Sequence, residues 1–440
     1  MQKTLKVKLI PLTKSDLRRL HELKESYTTL LKDTLKIVIE NDIRTRKQAH
    51  KMCYEVLRRN YPNLHNKFVQ EAYKKALAMY KSYLKLKKRY EKGLLKFEPS
   101  LPKIDENNVV DLHVDTFKLV RINGTLLLTI SKSKGEYIRF VVLEYAYFKK
   151  HLEDGWNIQN SKIIIDNTIY IHLTVSKLIT PKHHENKLVV DVNENTVDCL
   201  LVTHEVAVFF KIRHDIRKIR MNYRRIRKSI HKKVKDERTR NELLAKYGER
   251  ERKRVEDRIK KISSLLTELC LRFNADLVVE NLKYLKNSKK KCKQLNYRLQ
   301  TLPYRKLLSN LEYKATEKEI SVIKVNPNNT SVTCPICGCK NKRNRLTVFS
   351  FKCINCGFEF DAQFVACLNL LSRADDSCLA IRHGRLIIRK AGYVVPVDVA
   401  PNEVPIREAL REKPVPSFRN ILNIKHGQPR KNDIYHSLQD

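Results

Sequence analysis

Four cysteines in two pairs, Cys334 with Cys337 and Cys353 with Cys356, constrain this chain more than any other feature, with fifteen residues separating the pairs. Each pair is a C-x2-C knuckle on a tight turn ending in Gly338 or Gly357. Four thiolates so spaced can converge tetrahedrally on one Zn²⁺, whose binding stabilises a segment too small to bury a core of its own. Two unrelated pairs, or disulfides, are the competing reading; the charged composition and the lack of an export signal favour a reducing compartment instead. The run DAQFVACLNL, from Asp361 to Leu370, follows at once. It reads as an apolar helix held beside the metal knuckle.

A chain of 440 residues exceeds the size at which a single core stops growing, so two or three domains are expected. Its 89 Lys and Arg against 48 Asp and Glu give a formal charge of +41. A folded protein with that charge repels itself unless a polyanion compensates, and nucleic acid is the default partner. Anionic membrane is the rival. No apolar run approaches the length of a spanning helix, and MQKTLKVKLIPL has no hydrophobic signal core, so no membrane partner is expected. The expected setting is cytoplasmic and nucleoid-associated. The other seven cysteines are scattered and read as buried or free thiols.

KTLKVKLIPL alternates like a strand and ends at Pro11 with a helix cap in TKSD. Apolar residues then recur at helical spacing from Ser15 to about Lys92, with a break at YPN around Pro62. This predicts a small helical bundle; KSYLKLKKRYEKGLLK suits phosphate contact and stacking as well as it suits a solvated face. Composition changes at FEPSLPKID. Beyond it VVDLHVDTFKLV, TLLLTI after the Asn123-Gly124 turn, YIRFVVLEY and KIIIDNTIYIHLTVSK predict a β-barrel or half-barrel.

In KLVVDVNENTVDCLLVT the apolar strand Leu188 to Val190 delivers Asp191 at its end, and NEN turns into a second strand, Val197 to Thr203. In FNADLVVENLKYL the strand Leu277 to Val279 is followed by Glu280. One such acid alone is more often a turn residue. Two, with a further candidate beside the ribbon, fit metal-assisted phosphodiester hydrolysis, in which carboxylates from separate strands converge on Mg²⁺. Between the strands, Lys211 to Arg272 reads as a helical insertion whose first half carries almost no acid, as a helix lying along a phosphate backbone does. A coiled-coil arm is its alternative. A further basic cluster, KYLKNSKKKCKQLN, follows Glu280.

The order DVNENTV, DLVVENLKYL, LPYRKLLSNLEYKATEKEISVIKVNPNNTSVTCPICG and FKCINCGFEF resembles TnpB, the insertion-sequence proteins related to CRISPR type V effector nucleases. The resemblance covers most of residues 1 to 372. It implies an α/β multidomain fold: a wedge-like β-barrel of residues 1–13 and 98–182 interrupted by a helical recognition bundle, 14–97. A RuvC-like RNase H fold would then occupy 186–329 and 359–373, with the helical insertion 211–272 and an inserted zinc ribbon, 330–358. It further implies binding of a guide RNA, recognition of double-stranded target DNA and Mg²⁺-dependent cutting, base pairing reading the sequence while the protein grips backbone and shape.

By position, the resemblance makes Asp191 the first catalytic carboxylate and Glu280 the second. The family's third aspartate falls seven residues after the last zinc cysteine, where this chain has Gln363. An amide oxygen can ligate a cation but removes one negative charge. Asp361 is the possible substitute, which requires extended local backbone; a helix start turns it about 200° away from position 363. The expected function is RNA-guided DNA binding with cleavage weakened or lost, as in a nuclease-dead repressor or a decayed transposase copy. Against decay stand the retained Asp191, Glu280 and four cysteines. A strand-transferring transposase is weaker, since no tyrosine or serine recombinase arrangement is found; a plain RNA-binding protein leaves both acids unexplained. Residues 374–440, with repeated prolines and mixed charge, are expected to form a disordered tail.

Overall fold

The computed structural model describes residues 1–105, 109–204, 207–281, 303–375, 378–382, 385–390, 393–399 and 404–405. Its described elements fall into two compact units, Met1–Leu178 and Ile179–Asp440. The basic segment 283–296 and the end of the tail, 406–440, lie outside the described residues.

In the first unit, strand β1 (Gln2–Pro11) points Leu5, Val7 and Leu9 inward and Lys6 and Lys8 outward. Each such fully buried side chain contributes about 1.5–3 kcal/mol. Three helices follow, α1 (Lys14–Glu40), α2 (Arg46–Asn60) and α3 (Asn66–Glu91). The sequence pattern shows only the break at Pro62. A second break arises where Asp42 takes a left-handed φ of 43° and Thr45 with Gln48 forms a capping box that starts α2.

The strands β2 (Val110–Leu112), β3 (Phe117–Ile122), β4 (Thr125–Ser133) and β5 (Glu136–Leu143) precede helix α4 (Ala146–Glu153). With β6 (Asn157–Ile165) and β7 (Ile169–Ser176) they complete a half-barrel sheet of order β2-β6-β7-β1-β5-β4-β3, antiparallel throughout. Asn123 and Gly124 both have positive φ, as a two-residue hairpin turn between β3 and β4 requires. The segment KIIIDNTIYIHLTVSK supplies both arms of the β6–β7 hairpin.

The second unit opens with a meander, β8 (Asn186–Val192), β9 (Thr196–Val202) and β10 (Ala207–Arg213). Helices α5 (Ile216–Lys233) and α6 (Glu237–Arg272) follow, so the helical insertion begins at Ile216 rather than Lys211. Lys211 belongs to β10, where it pairs in register with Asp198. Strand β11 (Ala275–Glu280) returns parallel to β8, and helix α7 (Tyr304–Glu317) leads to β12 (Val322–Val325), parallel to β11. A short hairpin of β13 (Ser350–Lys352) and β14 (Glu359–Asp361) then delivers α8 (Ala362–Ala374).

The apolar strands feed two cores. Leu188, Val190, Cys199 and Phe210 pack with α5, α6 and α7 on one face; Val189, Leu200, Phe209 and Val278 pack with α8 on the other.

The tail departs from expectation. Strands β15 (Cys378–Arg382), β16 (Arg385–Lys390), β17 (Tyr393–Val399) and β18 (Val404–Pro405) extend the sheet, with β17 and β18 running parallel to β10. β15, β16 and β17 pair locally as antiparallel neighbours, but β17 and β18 join the sheet through β10, far earlier in the chain, which local periodicity cannot reveal, and Pro396 inside β17 argues against a strand by composition alone.

Candidate functional site

Because strand side chains alternate, Asp191 on β8 and Glu280 on β11 share the face of Val189 and Val278, which α8 covers. Both carboxyls line one cavity of ≈ 280 Å³. Its other walls include Asn193, Tyr304, Arg345, Gln363 and Ala366. Burial, and after it the Glu280 charge, raises the Asp191 carboxyl above the ordinary range, against the Asn193 hydrogen bond and the Arg345 charge. Burial raises Glu280 too. Two buried carboxyls, one raised by the other's charge, resist ionising together, and a cation between them removes that resistance.

Gln363, on the first turn of α8, is only 6% exposed, and its Oε1 has no hydrogen-bond partner among the described residues. A buried amide oxygen left bare is costly unless something external meets it. Two carboxylates and that oxygen form a donor set that fits a hard divalent ion such as Mg²⁺.

Asp361 does not line the cavity. It is the N-cap of α8, its Oδ1 accepting from the backbone N of Gln363 at 2.8 Å and of Phe364 at 3.3 Å. Its Oδ2 accepts from Lys211 Nζ at 2.7 Å. The backbone turns helical at Ala362. That is the case in which Asp361 faces away from position 363.

Several residues of the site escaped the sequence reading. Asp198 on β9 stands directly across from Asp191, wholly buried. Burial, then the Asp191 charge, pushes it up to about 7. Asn193 Nδ2 donates to Asp191 Oδ2 at 2.8 Å and to Asp198 Oδ2 at 2.6 Å. Arg345 brings a cation to the cavity from the ribbon, its Nε donating to the Thr347 carbonyl at 3.3 Å. A lone acid inside the apolar run TVDCLLV was the available signal for Asp198; for Arg345 the sequence carries none.

Four thiols, Cys334, Cys337, Cys353 and Cys356, place their sulfurs within 4.8 Å of one another. Cys334 and Cys356 Sγ are 3.6 Å apart, Cys337 and Cys353 Sγ 3.5 Å. A tetrahedral ion with Zn–S bonds of about 2.3 Å sets sulfurs about 3.8 Å apart, so the cluster could hold a metal such as zinc. The knuckles repeat one design: Gly338 N donates to the Cys334 carbonyl and Gly357 N to the Cys353 carbonyl, both at 3.0 Å, with φ of 72° at each glycine. The backbone N–H of Cys339 holds the Cys337 thiol down to about 6, towards the thiolate a metal needs. Phe351, Phe358, Ala362 and Val365 pack the cluster onto α8. Asn369 Nδ2 reaches back to the carbonyls of Thr330 and Thr333, at 2.7 and 2.8 Å.

Residues 304–370, which carry much of this site, match the family described as Cas12f1-like, TNB domain. The chain is also similar to TnpB-like protein MJ0751 of Methanocaldococcus jannaschii, 33% identical over 246 residues, which span 54% of this chain and 87% of that protein. This chain belongs to the TnpB-like family. This chain is also 38% identical over 82 residues to a CRISPR-associated endodeoxyribonuclease Cas12f1 of Sulfoacidibacillus thermotolerans, covering 19% of each chain. The cryo-EM structure of a Cas12f1–sgRNA–target DNA complex resembles it with a TM-score of 0.55 and 16% identity, covering 81% of this chain and 83% of that one. At that identity the likeness speaks for the fold alone. Among the described residues no helix is long and apolar enough to cross a membrane.

Proposed function

We propose that this TnpB-like protein is an RNA-guided DNA-binding protein, with a RuvC-type, Mg²⁺-dependent endonuclease site whose cleavage is weakened by Gln363. The observation that carries this reading is that Asp191, Glu280 and Gln363 line a single cavity. Support for a RuvC-like RNase H fold comes from the strand order, an antiparallel meander β8-β9-β10 followed by parallel β11 and β12. The half-barrel and its helices would form the wedge-like and recognition modules, and the four-cysteine ribbon would hold a structural zinc.

Asp191, Glu280 and the Gln363 amide would hold the Mg²⁺. When bound, Mg²⁺ neutralises charge on a phosphodiester and lowers the pKa of water. The chain's own residues supply the rest. Arg345 offers a cation for a strand phosphate at the cavity. On α5, Arg220 and Arg227 pair with the buried Glu251 of α6, which fixes the helical hairpin; Lys218, Arg225 and Lys228 are exposed on the same basic helix. Such a helix suits a nucleic-acid backbone. The guide RNA and double-stranded target DNA follow from the family and the +41 charge.

The experiment is co-expression with RNA from the flanking end of its own gene, followed by binding and cleavage of a matched plasmid in Mg²⁺ and Mn²⁺. Guide-dependent binding with slow cleavage is expected, and Asp191→Ala should abolish the cleavage. Binding without any cutting would favour a guided repressor, a reading that the neutral Gln363 supports. Failure to bind guide RNA contradicts both.

A further inference from the structure

A wholly buried aspartate in the middle of an apolar strand is costly unless its oxygens are engaged. Asp198 is such a residue, flanked by Val197 and Cys199. Its Oδ2 accepts from Asn193 Nδ2 at 2.6 Å and Thr196 Oγ1 at 3.0 Å, while its Oδ1 has no partner among the described residues. Packing alone would be better served by valine or threonine at that position.

The engaged oxygen points to a role. Asn193 has one side-chain amide group with two N–H bonds, and it gives one to Asp198 and the other to Asp191. The Asn193 backbone is tied down as well: its N–H donates to the Thr196 carbonyl at 2.9 Å, and its carbonyl lies 3.3 Å from Nε2 of the buried His214. Asp198 thus anchors the Asn193 amide that holds the Asp191 carboxylate from the side. The anchor is itself in a cross-strand row, with Asp191 opposite it on β8 and Lys211 opposite it on β10.

We infer that Asp198 is a positioning residue for the metal site: through the shared amide of Asn193 it fixes the orientation of the Asp191 carboxylate. The inference rests on the reading of Asp191 and Glu280 as ligands. It gains weight because Gln363 leaves the site with two carboxylates, so the placement of each counts for more. Partners of this kind, one step removed from the metal, change affinity by about 10–100-fold when they are lost.

The test is Mn²⁺ binding to the full chain with its RNA, followed by electron paramagnetic resonance, with melting temperatures recorded beside it. Asp198→Val fills the site with an apolar side chain and breaks the link; it is expected to weaken Mn²⁺ binding about 10–100-fold without lowering the melting temperature. Asp198→Asn keeps an acceptor for Asn193 and is expected to recover most of that loss. Wild-type affinity in Asp198→Val overturns the inference, since a packing role would be satisfied by valine. Should that variant not fold, Asn193→Ala cuts the same link from the half-buried turn. The same loss is expected there, and unchanged affinity overturns the inference. Asp191→Ala and Glu280→Gln separate the two claims. If they abolish binding while Asp198→Val and Asn193→Ala bind Mn²⁺ with wild-type affinity, only the positioning role fails. If they bind Mn²⁺ as wild type does, the metal-site reading itself fails.

Discussion

Asp361 Oδ1 accepts a hydrogen bond from the backbone N of Gln363 at 2.8 Å. The acid two residues before the amide caps α8 and so holds in place the helix turn that bears it. Its second oxygen is engaged by Lys211.

Asp361 should therefore behave as a cap and not as a ligand. Asp361→Ala is expected to destabilise the protein by about 0.5–2 kcal/mol, the usual range for losing an N-cap. Asp361→Asn, still a good cap, should bind Mn²⁺ as wild type does. Loss of Mn²⁺ binding in Asp361→Asn with the melting temperature intact would make it a ligand after all.

Asn369 ties α8 to the entry of the ribbon through the carbonyls of Thr330 and Thr333. Asn369→Ala leaves both acceptors without that donor. A loss of about 1–3 kcal/mol in urea unfolding is expected, and a neutral result would mean that water replaces the amide.

A metal in the four-cysteine cluster should be required for the fold of its segment. Cys353→Ser is expected to abolish zinc in metal analysis and to lower the melting temperature, since structural zinc in small modules contributes on the order of 10 kcal/mol of binding free energy. A Cys353→Ser protein that keeps stoichiometric zinc and its wild-type melting temperature contradicts the four-thiolate assignment.

Acid should favour the metal-free fold at Asp198. Its carboxyl sits at about 7, raised by burial and by the Asp191 charge. A carboxyl raised on folding contributes stability that is complete below its unfolded pKa, about 4, and is lost as pH rises through the folded value. Relative to Asp198→Asn, the metal-free wild type is expected to lose stability in urea between about pH 4 and about pH 7. A difference that grows in wild type's favour over that window contradicts the burial argument.

Much of this architecture is legible in the sequence because its causes are local. The ribbon follows from cysteine spacing and two glycines with positive φ, and β1 from strict alternation. Asp191 and Glu280 stand out because each terminates an apolar run. What stays hidden depends on partners distant in sequence. Asp198 shows in the sequence only as a lone acid in an apolar run, its place opposite Asp191 appearing when β8 is laid beside β9, and Lys211 looks like the start of a helix until β10 pairs with β9. Strands β17 and β18 join the sheet only along the edge of β10, nearly two hundred residues earlier. The break before α2 is different: Thr45 and Gln48 spell a capping box, a local signal that hydrophobic periodicity does not register.

The central claim is that Gln363 occupies the third ligand position of a metal-dependent nuclease site. Its most direct test is the rate at which the guide-loaded Gln363→Asp variant cuts a matched plasmid in Mg²⁺, compared with wild type and with the double variant that adds Asp191→Ala. Cleavage about 100-fold faster than wild type, equivalent to about 2.7 kcal/mol of barrier, and abolished by Asp191→Ala, is the predicted result. A Gln363→Asp protein that binds guide and target normally yet cuts no faster than wild type contradicts the account.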